Sequence, residues 1–442
     1  MDAARKNAYL YPLMIIGGLF FIFGFVTWAI AVLIPYLQIA CELTSIQAML
    51  VSSAFYISYF VMAIPSGYLL KRIGYKNALT FGLVSMAVGS LLFIPAAITR
   101  IYAIFLLGLF VQGLGLSILQ TASNPYVTIL GPRESGARRM SIMGICNGVA
   151  GILGPLILGS IVLKDADGLT AALETMAAAD KAVVLDELAR KVIVPYLLIA
   201  ALLVLVALAI YFSSLPEVVE EETEGSSETS YSASKKSIVQ FPHLMLGVFT
   251  LFLYVGVEVI AGNTIIGYGS YQGIALSSAK LFTSMTLFFM LTGYVIGIIG
   301  IPKYFSQQQS LIFSALLGII FIIASQLTSG FVSVLFIALL GLANSLMWPS
   351  IWPLAISDLG RFTKTGSSLL VMAISGGAVL PLIYERLADS LDARQAYWMV
   401  VPGYLIIALY ALWGHKIRTK GSRETAAPHP PARDERLDAI DM

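Results

Sequence analysis

Apolar stretches long enough to cross a membrane recur along the whole chain, and they constrain its fold more than any other feature. Hydrophobic residues make up 58% of the 442 residues and charged residues 12%. A helix of about 20 apolar residues spans the hydrocarbon core of a bilayer, and a backbone in lipid must satisfy its own hydrogen bonds. We therefore predict an all-α membrane protein with twelve transmembrane helices, at approximately 11–36, 47–70, 77–98, 102–127, 140–163, 193–213, 243–266, 279–301, 309–327, 332–356, 366–386 and 395–415.

The distribution of lysine and arginine orients these spans. An even number of spans places both termini on one side of the membrane, together with the loops that follow the even-numbered spans. Of the 27 basic residues, 19 fall on that side and 8 on the other. Because basic residues concentrate in the cytoplasm, we expect both termini there, in a multi-pass protein of a bacterial cytoplasmic (inner) membrane. The net charge of +2 follows from this topology and indicates no nucleic-acid partner.

A polar segment between the sixth and seventh spans divides the chain. Residues 216–241 are acidic, rich in serine and poor in apolar side chains, which is typical of disordered linkers. We predict an N-terminal six-helix bundle at 1–215, a cytoplasmic linker at 216–241, a C-terminal six-helix bundle at 242–416 and a disordered cytoplasmic tail at 417–442. We also expect a short surface helix within 164–191, on the external side.

The two halves share a weak internal repeat. Residues 130–148 align with 359–377, and five positions in this alignment are identical. Each segment follows the fourth span of its half. Duplicated six-span halves that enclose a site near the bilayer midplane are the architecture of many secondary transporters.

Five segments carry motifs of a known family. They are FFIFGFVTWAIAVLIPYLQ (20–38), QAMLVSSAFYISYF (47–60), LQTASNPYVTILGP (119–132), YVGVEVIAGNT (254–264) and TGSSLLVMAISGGAVLPLI (365–383). On these segments the chain resembles the major facilitator superfamily, and within it the branch of fucose, glucose–galactose and N-acetylglucosamine permeases. The resemblance implies the major facilitator fold, with two pseudo-repeated six-helix bundles. It also implies an alternating-access importer of neutral sugars, usually driven by a cation gradient.

Two positions depart from the fucose-type pattern. Fucose-type members carry an aspartate late in the first span, where this chain has Ala31, and a glutamate in the fourth, where it has Gln120. A glutamine in the fourth span and a glutamate in the seventh, matched by Glu258, are similar to the glucose–galactose side of the branch. Ala31 departs even from that side, so the coupling ion stays open between proton, sodium and none.

Glu258 is the candidate for proton coupling. It lies in the middle of 244–267, a segment with no other charged residue. A carboxylate at the bilayer centre costs roughly 2.5 to 3.5 kcal/mol on insertion scales, so such a residue usually faces water, a partner or a substrate path. The alternative is an acid kept protonated and hydrogen-bonded inside the bundle. In the functional interpretation, the protonated carboxyl favours sugar loading, and deprotonation after inward opening resets the carrier.

Amide side chains on the spans are candidates for sugar binding, because an amide both donates and accepts hydrogen bonds to hydroxyl groups. Gln120 and Asn124 are four residues apart and share one face of the fourth span. Asn147, in the fifth span, matches a position that is polar in the sugar permeases. The alternative role for all three is hydrogen bonding between helices.

The tenth span combines an amide with two indoles at four-residue spacing, Asn344, Trp348 and Trp352. Flat aromatic rings suit the apolar C–H faces of a sugar. We take Asn344 and Trp348 as binding candidates and interpret Trp352 as an anchor near the cytoplasmic interface.

Three further candidates lie in the first and seventh spans. Asn263 follows Glu258 by five residues, about 140° around a helix, so both face one cavity only if the helix breaks, for instance at Gly262. Thr27 and Trp28 occupy positions where relatives carry polar residues.

Taken together, these features predict a secondary active sugar importer, with proton symport of a neutral hexose or N-acetylhexosamine of the glucose, galactose or N-acetylglucosamine type. Sodium coupling and uniport are alternatives. An efflux antiporter or, outside transport, a membrane sugar sensor are rival classes. The spacing of Ser, His, Asp and Cys indicates no enzyme, metal site or cofactor. The expected partners are a sugar, a proton or sodium ion and the lipid bilayer, and we expect a monomer.

Overall fold

The computed structural model of the chain describes residues 2–129, 136–163, 166–213, 232, 235–301 and 303–417. These residues form helices joined by short turns, and no β-strand occurs among them. The α-helices are α1 (Asp2–Ala40), α2 (Ser45–Leu91), α3 (Phe93–Thr99), α4 (Tyr102–Ile129), α5 (Gly136–Val162), α6 (Ala166–Thr175), α7 (Ala178–Arg190), α8 (Ile193–Phe212), α9 (Pro242–Asn263), α10 (Ile265–Tyr271), α11 (Leu276–Ala279), α12 (Phe282–Gly300), α13 (Gln307–Leu327), α14 (Gly330–Asn344), α15 (Met347–Ile356), α16 (Thr363–Met372), α17 (Gly376–Ser390), α18 (Ala393–Ala396) and α19 (Val400–Leu412). Short 3-10 helices occupy Ile238–Gln240, Gly360–Phe362, Ala373–Ser375, Tyr397–Met399 and Gly414–Lys416.

Eleven helical stretches in the described part of the chain are long and apolar enough to cross a membrane. One of them, Ser45–Thr99, has 55 residues, more than twice the length that a bilayer requires. Gly74 interrupts this stretch with a φ of +80°, a conformation that glycine adopts without steric cost. The stretch is therefore two spans joined at Gly74, which confirms the prediction of twelve transmembrane helices.

The tenth predicted span is broken into α14 and α15. Ser345 and Leu346 form the turn between them. The cause is Pro349, because a proline lacks an N–H donor and its ring clashes with the carbonyl group four residues earlier, here that of Ser345. Trp348 consequently lies at the start of a new helix, close to the middle of the span.

A surface helix follows the fifth span, as predicted, at Ala178–Arg190. Tyr36 of α1 holds it by donating a hydrogen bond of 2.8 Å to the carbonyl oxygen of Leu188. Lys181 pairs with Glu42 at 2.7 Å in the turn between α1 and α2. The ammonium group of Lys181 lowers the pKa of the Glu42 carboxyl below its ordinary value.

The six spans before the linker pack against the six after it. α2 lies along α16 and α17, and α5 lies along α12. We call the face of the molecule that carries α7 the α7 face, and the face where α8 ends and α9 begins the linker face. Most of the predicted linker and all but one residue of the predicted tail lie outside the described residues.

Several hydrogen bonds between the two halves lie between the middle of the spans and the α7 face. Ser53 Oγ donates to the carbonyl oxygen of Ala378 at 2.8 Å, and Ser284 Oγ donates to that of Ile152 at 3.0 Å. These contacts join α2 to α17 and α12 to α5, so the halves are closed against each other on this side.

Candidate functional site

A cavity lies between the two halves, about midway along the spans. Its volume is about 130 Å³, and a single water molecule needs roughly 10–15 Å³ of such space, so a small solute fits. Helices α1, α2, α4 and α5 face α9, α12 and α15 across it. The lining residues are Phe20, Thr27, Trp28, Tyr56, Tyr59, Gln120, Asn124, Met140, Gly144, Asn147, Tyr254, Val255, Glu258, Met290, Tyr294, Trp348, Pro349 and Ile374.

Seven of the nine residues that the sequence selected meet in this cavity. They are Glu258, Gln120, Asn124, Asn147, Trp348, Trp28 and Thr27. Glu258 is the one charged side chain among the described residues that line it. One carboxyl group, three amides and several aromatic rings therefore face the same space.

Asn263 and Asn344 do not line the cavity. The Nδ2 atom of Asn263 donates to Ser52 Oγ at 3.2 Å, across the contact between the halves. The Oδ1 atom of Asn344 accepts a hydrogen bond of 2.9 Å from the Tyr404 hydroxyl inside the second half. Both side chains are buried, and their positions favour the packing role over the binding role.

Asn263 points away from the cavity because α9 is continuous from Pro242 to Asn263. The 140° rotation between it and Glu258 is therefore retained. The interruption comes one residue later, at Thr264. Gly262 does not break the helix, and it serves instead to admit a neighbouring side chain from α1.

Glu258 is held from within its own helix. Tyr254 lies one turn earlier, and its hydroxyl donates a hydrogen bond of 2.7 Å to Glu258 Oε1. No salt bridge to Glu258 occurs among the described residues. An unpaired carboxylate away from water is costly, whereas the protonated acid is not. The site therefore suits a carboxyl group that alternates between two protonation states.

Two of the amides are partly engaged with the protein. Gln120 Nε2 donates to the Tyr59 hydroxyl at 3.2 Å, and Asn147 Nδ2 donates to the carbonyl oxygen of Phe20 at 3.4 Å. A primary amide has two N–H donors and an oxygen that accepts. Each side chain therefore keeps hydrogen-bonding capacity for a polar solute.

The indoles of Trp348 and Trp352 form a stacked pair, with ring centroids 5.3 Å apart and an interplanar angle of 26°. Trp348 faces the cavity. Trp352 is only 4% exposed, so it lies beneath Trp348 and does not form the interfacial anchor suggested by the sequence.

Residues 16–380 match the model of the Major Facilitator Superfamily. The chain belongs to this superfamily. It is 37% identical over 419 residues to a glucose/galactose transporter of Brucella abortus, covering 94% of this chain and 96% of the relative. It is 31% identical over 397 residues to the L-fucose-proton symporter of Escherichia coli, covering 88% and 89%.

A solved structure of the superfamily, the transporter FucP in its outward conformation, superimposes on the chain with a TM-score of 0.71. The identity is 29%, and the match covers 92% of this chain and 99% of FucP. The superfamily fold thus accounts for the twelve spans and for a cavity between two halves.

Within this superfamily fold, Trp28 closes the cavity toward the α7 face. Its indole packs against Leu287 and Met290 of the second half. A Cβ atom at Gly262 would overlap the ring, and one at Gly151 would lie 2.6 Å from Trp28 Cδ1. Glycine at both positions is what lets this large ring fit between α5 and α9.

The sequence reasoning missed four tyrosines in the cavity of this superfamily member: Tyr56, Tyr59, Tyr254 and Tyr294. For Tyr254, the four-residue spacing to Glu258 is a usable signal, since such pairs share a helix face. No sequence signal points to Tyr294, whose ring lies against Gly144 of the other half.

Proposed function

We propose that this protein is a secondary active importer that carries a neutral monosaccharide across the bacterial cytoplasmic membrane together with a proton. The observation that carries the proposal is the cavity between the halves, which combines one carboxyl group with three amides and aromatic rings. The names of its relatives, a glucose/galactose transporter and an L-fucose-proton symporter, support the same conclusion.

The lining matches the surface of a sugar. Hydroxyl groups need partners that both donate and accept, which Gln120, Asn124 and Asn147 provide. The C–H faces of a pyranose pack on flat rings, which Trp348 and Trp28 offer. The lack of a basic side chain among the described lining residues favours a neutral substrate of the hexose or N-acetylhexosamine class over an anionic one.

Glu258 is the group that couples the proton. Ala31 is fully buried in α1 and Gln120 lines the cavity, so neither position where fucose-type relatives carry an acid supplies one. When both halves close around the sugar, a charged Glu258 costs several kcal/mol more than the protonated form. Closure therefore favours the loaded, protonated carrier, and that difference links the proton gradient to sugar movement.

The orientation of the protein in the membrane follows from the distribution of its basic residues. We place both termini and the linker at 216–241 in the cytoplasm and α7 outside, because basic residues concentrate on the terminal side. The N-terminal bundle at 1–215 and the C-terminal bundle at 242–416 then rock about the midplane cavity. One chain supplies all the groups of the cavity, so a monomer suffices.

The test is uptake by purified protein in proteoliposomes. We expect radiolabelled glucose, galactose or N-acetylglucosamine to accumulate under an acid-outside pH gradient and to leak back when a protonophore collapses it. Accumulation under a sodium gradient alone would show that sodium, and not a proton, is the coupling ion. Failure of every sugar in the panel to enter would refute sugar import.

Glu258→Gln tests the proton step, because glutamine resembles the protonated acid and cannot release a proton. This variant should exchange sugar across the membrane without accumulating it. Glu385→Gln is the matched control, since Glu385 of α17 is a second half-buried acid in a span but does not line the cavity. Normal accumulation by Glu258→Gln would refute the role of this residue.

A further inference from the structure

Tyr254 stands out among the cavity residues that the transport cycle above does not use. It is 1% exposed, and its hydroxyl donates to Glu258 Oε1 at 2.7 Å. Hydrogen bonds of this length to a carboxylate are charge-assisted and stronger than those between neutral groups. Glu258 therefore has a partner that favours its ionised form, although the largely apolar surroundings disfavour a charge.

The ring of Tyr254 has an aromatic neighbour on the same side of the cavity. It lies 6.5 Å from the ring of Trp348, with an interplanar angle of 51°, and Trp348 is itself stacked on Trp352. Tyr254 thus connects α9, which carries the acid, with α15, which carries the aromatic surface. This packing leaves the hydroxyl directed at one carboxylate oxygen.

Among the described residues, the other titratable groups close enough to interact with the charge of Glu258 are also phenols. They are Tyr56 of α2, Tyr294 of α12 and Tyr404 of α19. The Tyr404 hydroxyl donates its hydrogen bond to Asn344 Oδ1. Among the described residues, Tyr254 is the one that donates a hydrogen bond to the Glu258 carboxyl group.

We propose that Tyr254 is the positioning residue that determines when Glu258 releases its proton. The hydroxyl of Tyr254 stabilises the Glu258 carboxylate once the proton has left. Without this hydroxyl, Glu258 keeps its proton up to a higher pH. The inference rests on the proposed function for its meaning in transport, but the protonation of Glu258 can be measured without any sugar.

The experiment is an infrared titration of purified protein, in which the carboxyl band lost in Glu258→Gln identifies Glu258. Tyr254→Phe keeps the ring and removes the hydroxyl. We expect its midpoint to move upward by about one to two pH units, the shift that corresponds to losing one hydrogen bond to a charged group. In proteoliposomes, the pH midpoint of sugar exchange should move in the same direction.

Tyr384→Phe is the matched control, because Tyr384 is also a buried phenol of the second half but donates to the carbonyl oxygen of Ala393. An unchanged infrared midpoint in Tyr254→Phe would overturn the proposal, and so would an equal shift in Tyr384→Phe. In the Glu258→Gln background, Tyr254→Phe should leave the pH dependence of sugar exchange unaltered, since the residue acts on that dependence through Glu258. Absence of sugar transport by the unmodified protein would instead refute the proposed function and leave the infrared result standing.

Discussion

Replacing Gly262 with alanine tests whether the contact between Trp28 and Gly262 holds the two halves together at the α7 face. Trp28 is 5% exposed, and a Cβ atom at residue 262 would overlap its Cζ3 atom. The ring has little room to withdraw toward α5, where even a Cβ atom at Gly151 would lie 2.6 Å from Trp28 Cδ1. The added methyl group therefore pushes α1 and α9 apart.

The size of the effect follows from the cost of overpacking. An extra methyl group in a well-packed site costs typically about 1–3 kcal/mol. This cost applies only while Trp28 and Gly262 touch, and it disappears when the halves separate on this side. The equilibrium should accordingly shift about 5- to 150-fold toward the arrangement that is open at the α7 face.

Distances between spin labels on the two halves measure this shift. Asp180 on α7 and Leu391 after α17 are exposed on the α7 face. Labels at these positions, in a background with Cys41 and Cys146 replaced by serine, should report a longer separation in Gly262→Ala. Access of a hydrophilic thiol reagent to this face should rise in parallel.

Gly267→Ala is the matched control, because a Cβ atom at residue 267 meets no atom within 4 Å. It makes the same chemical change on α10, five residues further along the chain. A distance distribution for Gly262→Ala that equals the unmodified one, or an equal change in Gly267→Ala, would refute the reasoning.

Three further predictions concern binding, stability and topology. Gln120→Ala should weaken sugar binding by about 1–3 kcal/mol, the usual cost of an unpaired buried group, measured by calorimetry. Gln112→Ala on the same helix, where the amide bonds to Ser90 away from the cavity, should lower stability and leave affinity intact. Glu42→Gln should lower thermal stability by less than about 1 kcal/mol at pH 7, as expected for an exposed pair with Lys181. Because pairing lowers the pKa of Glu42, this difference should vanish as the pH falls below the ordinary range of a glutamate; persistence in acid would contradict the ion pair. Protease or tag accessibility should find residues 216–241 in the cytoplasm, and an external location would overturn the orientation.

The sequence alone determined the architecture and seven of the residues that line the cavity. Twenty-residue apolar stretches leave a membrane protein few alternatives to helices, and the twelve predicted spans agree with the structure once α2 is divided at Gly74. Glu258 was identifiable because charge is rare within a span. The amides of Gln120 and Asn124 were identifiable because polar groups seldom face lipid.

Only the tertiary structure decided which polar and aromatic side chains meet. Tyr294 lies against Gly144 and Trp28 against Gly262, pairs that belong to opposite halves of the chain. Asn263, a binding candidate from the sequence, instead contacts Ser52 of the other half, and this pairing too depends on how the halves pack. In a bilayer the interior of a bundle and its surroundings are both apolar, so hydrophobic periodicity does not show which face of a span points inward. That orientation is set by how small residues such as Gly151 and Gly262 let particular helices approach.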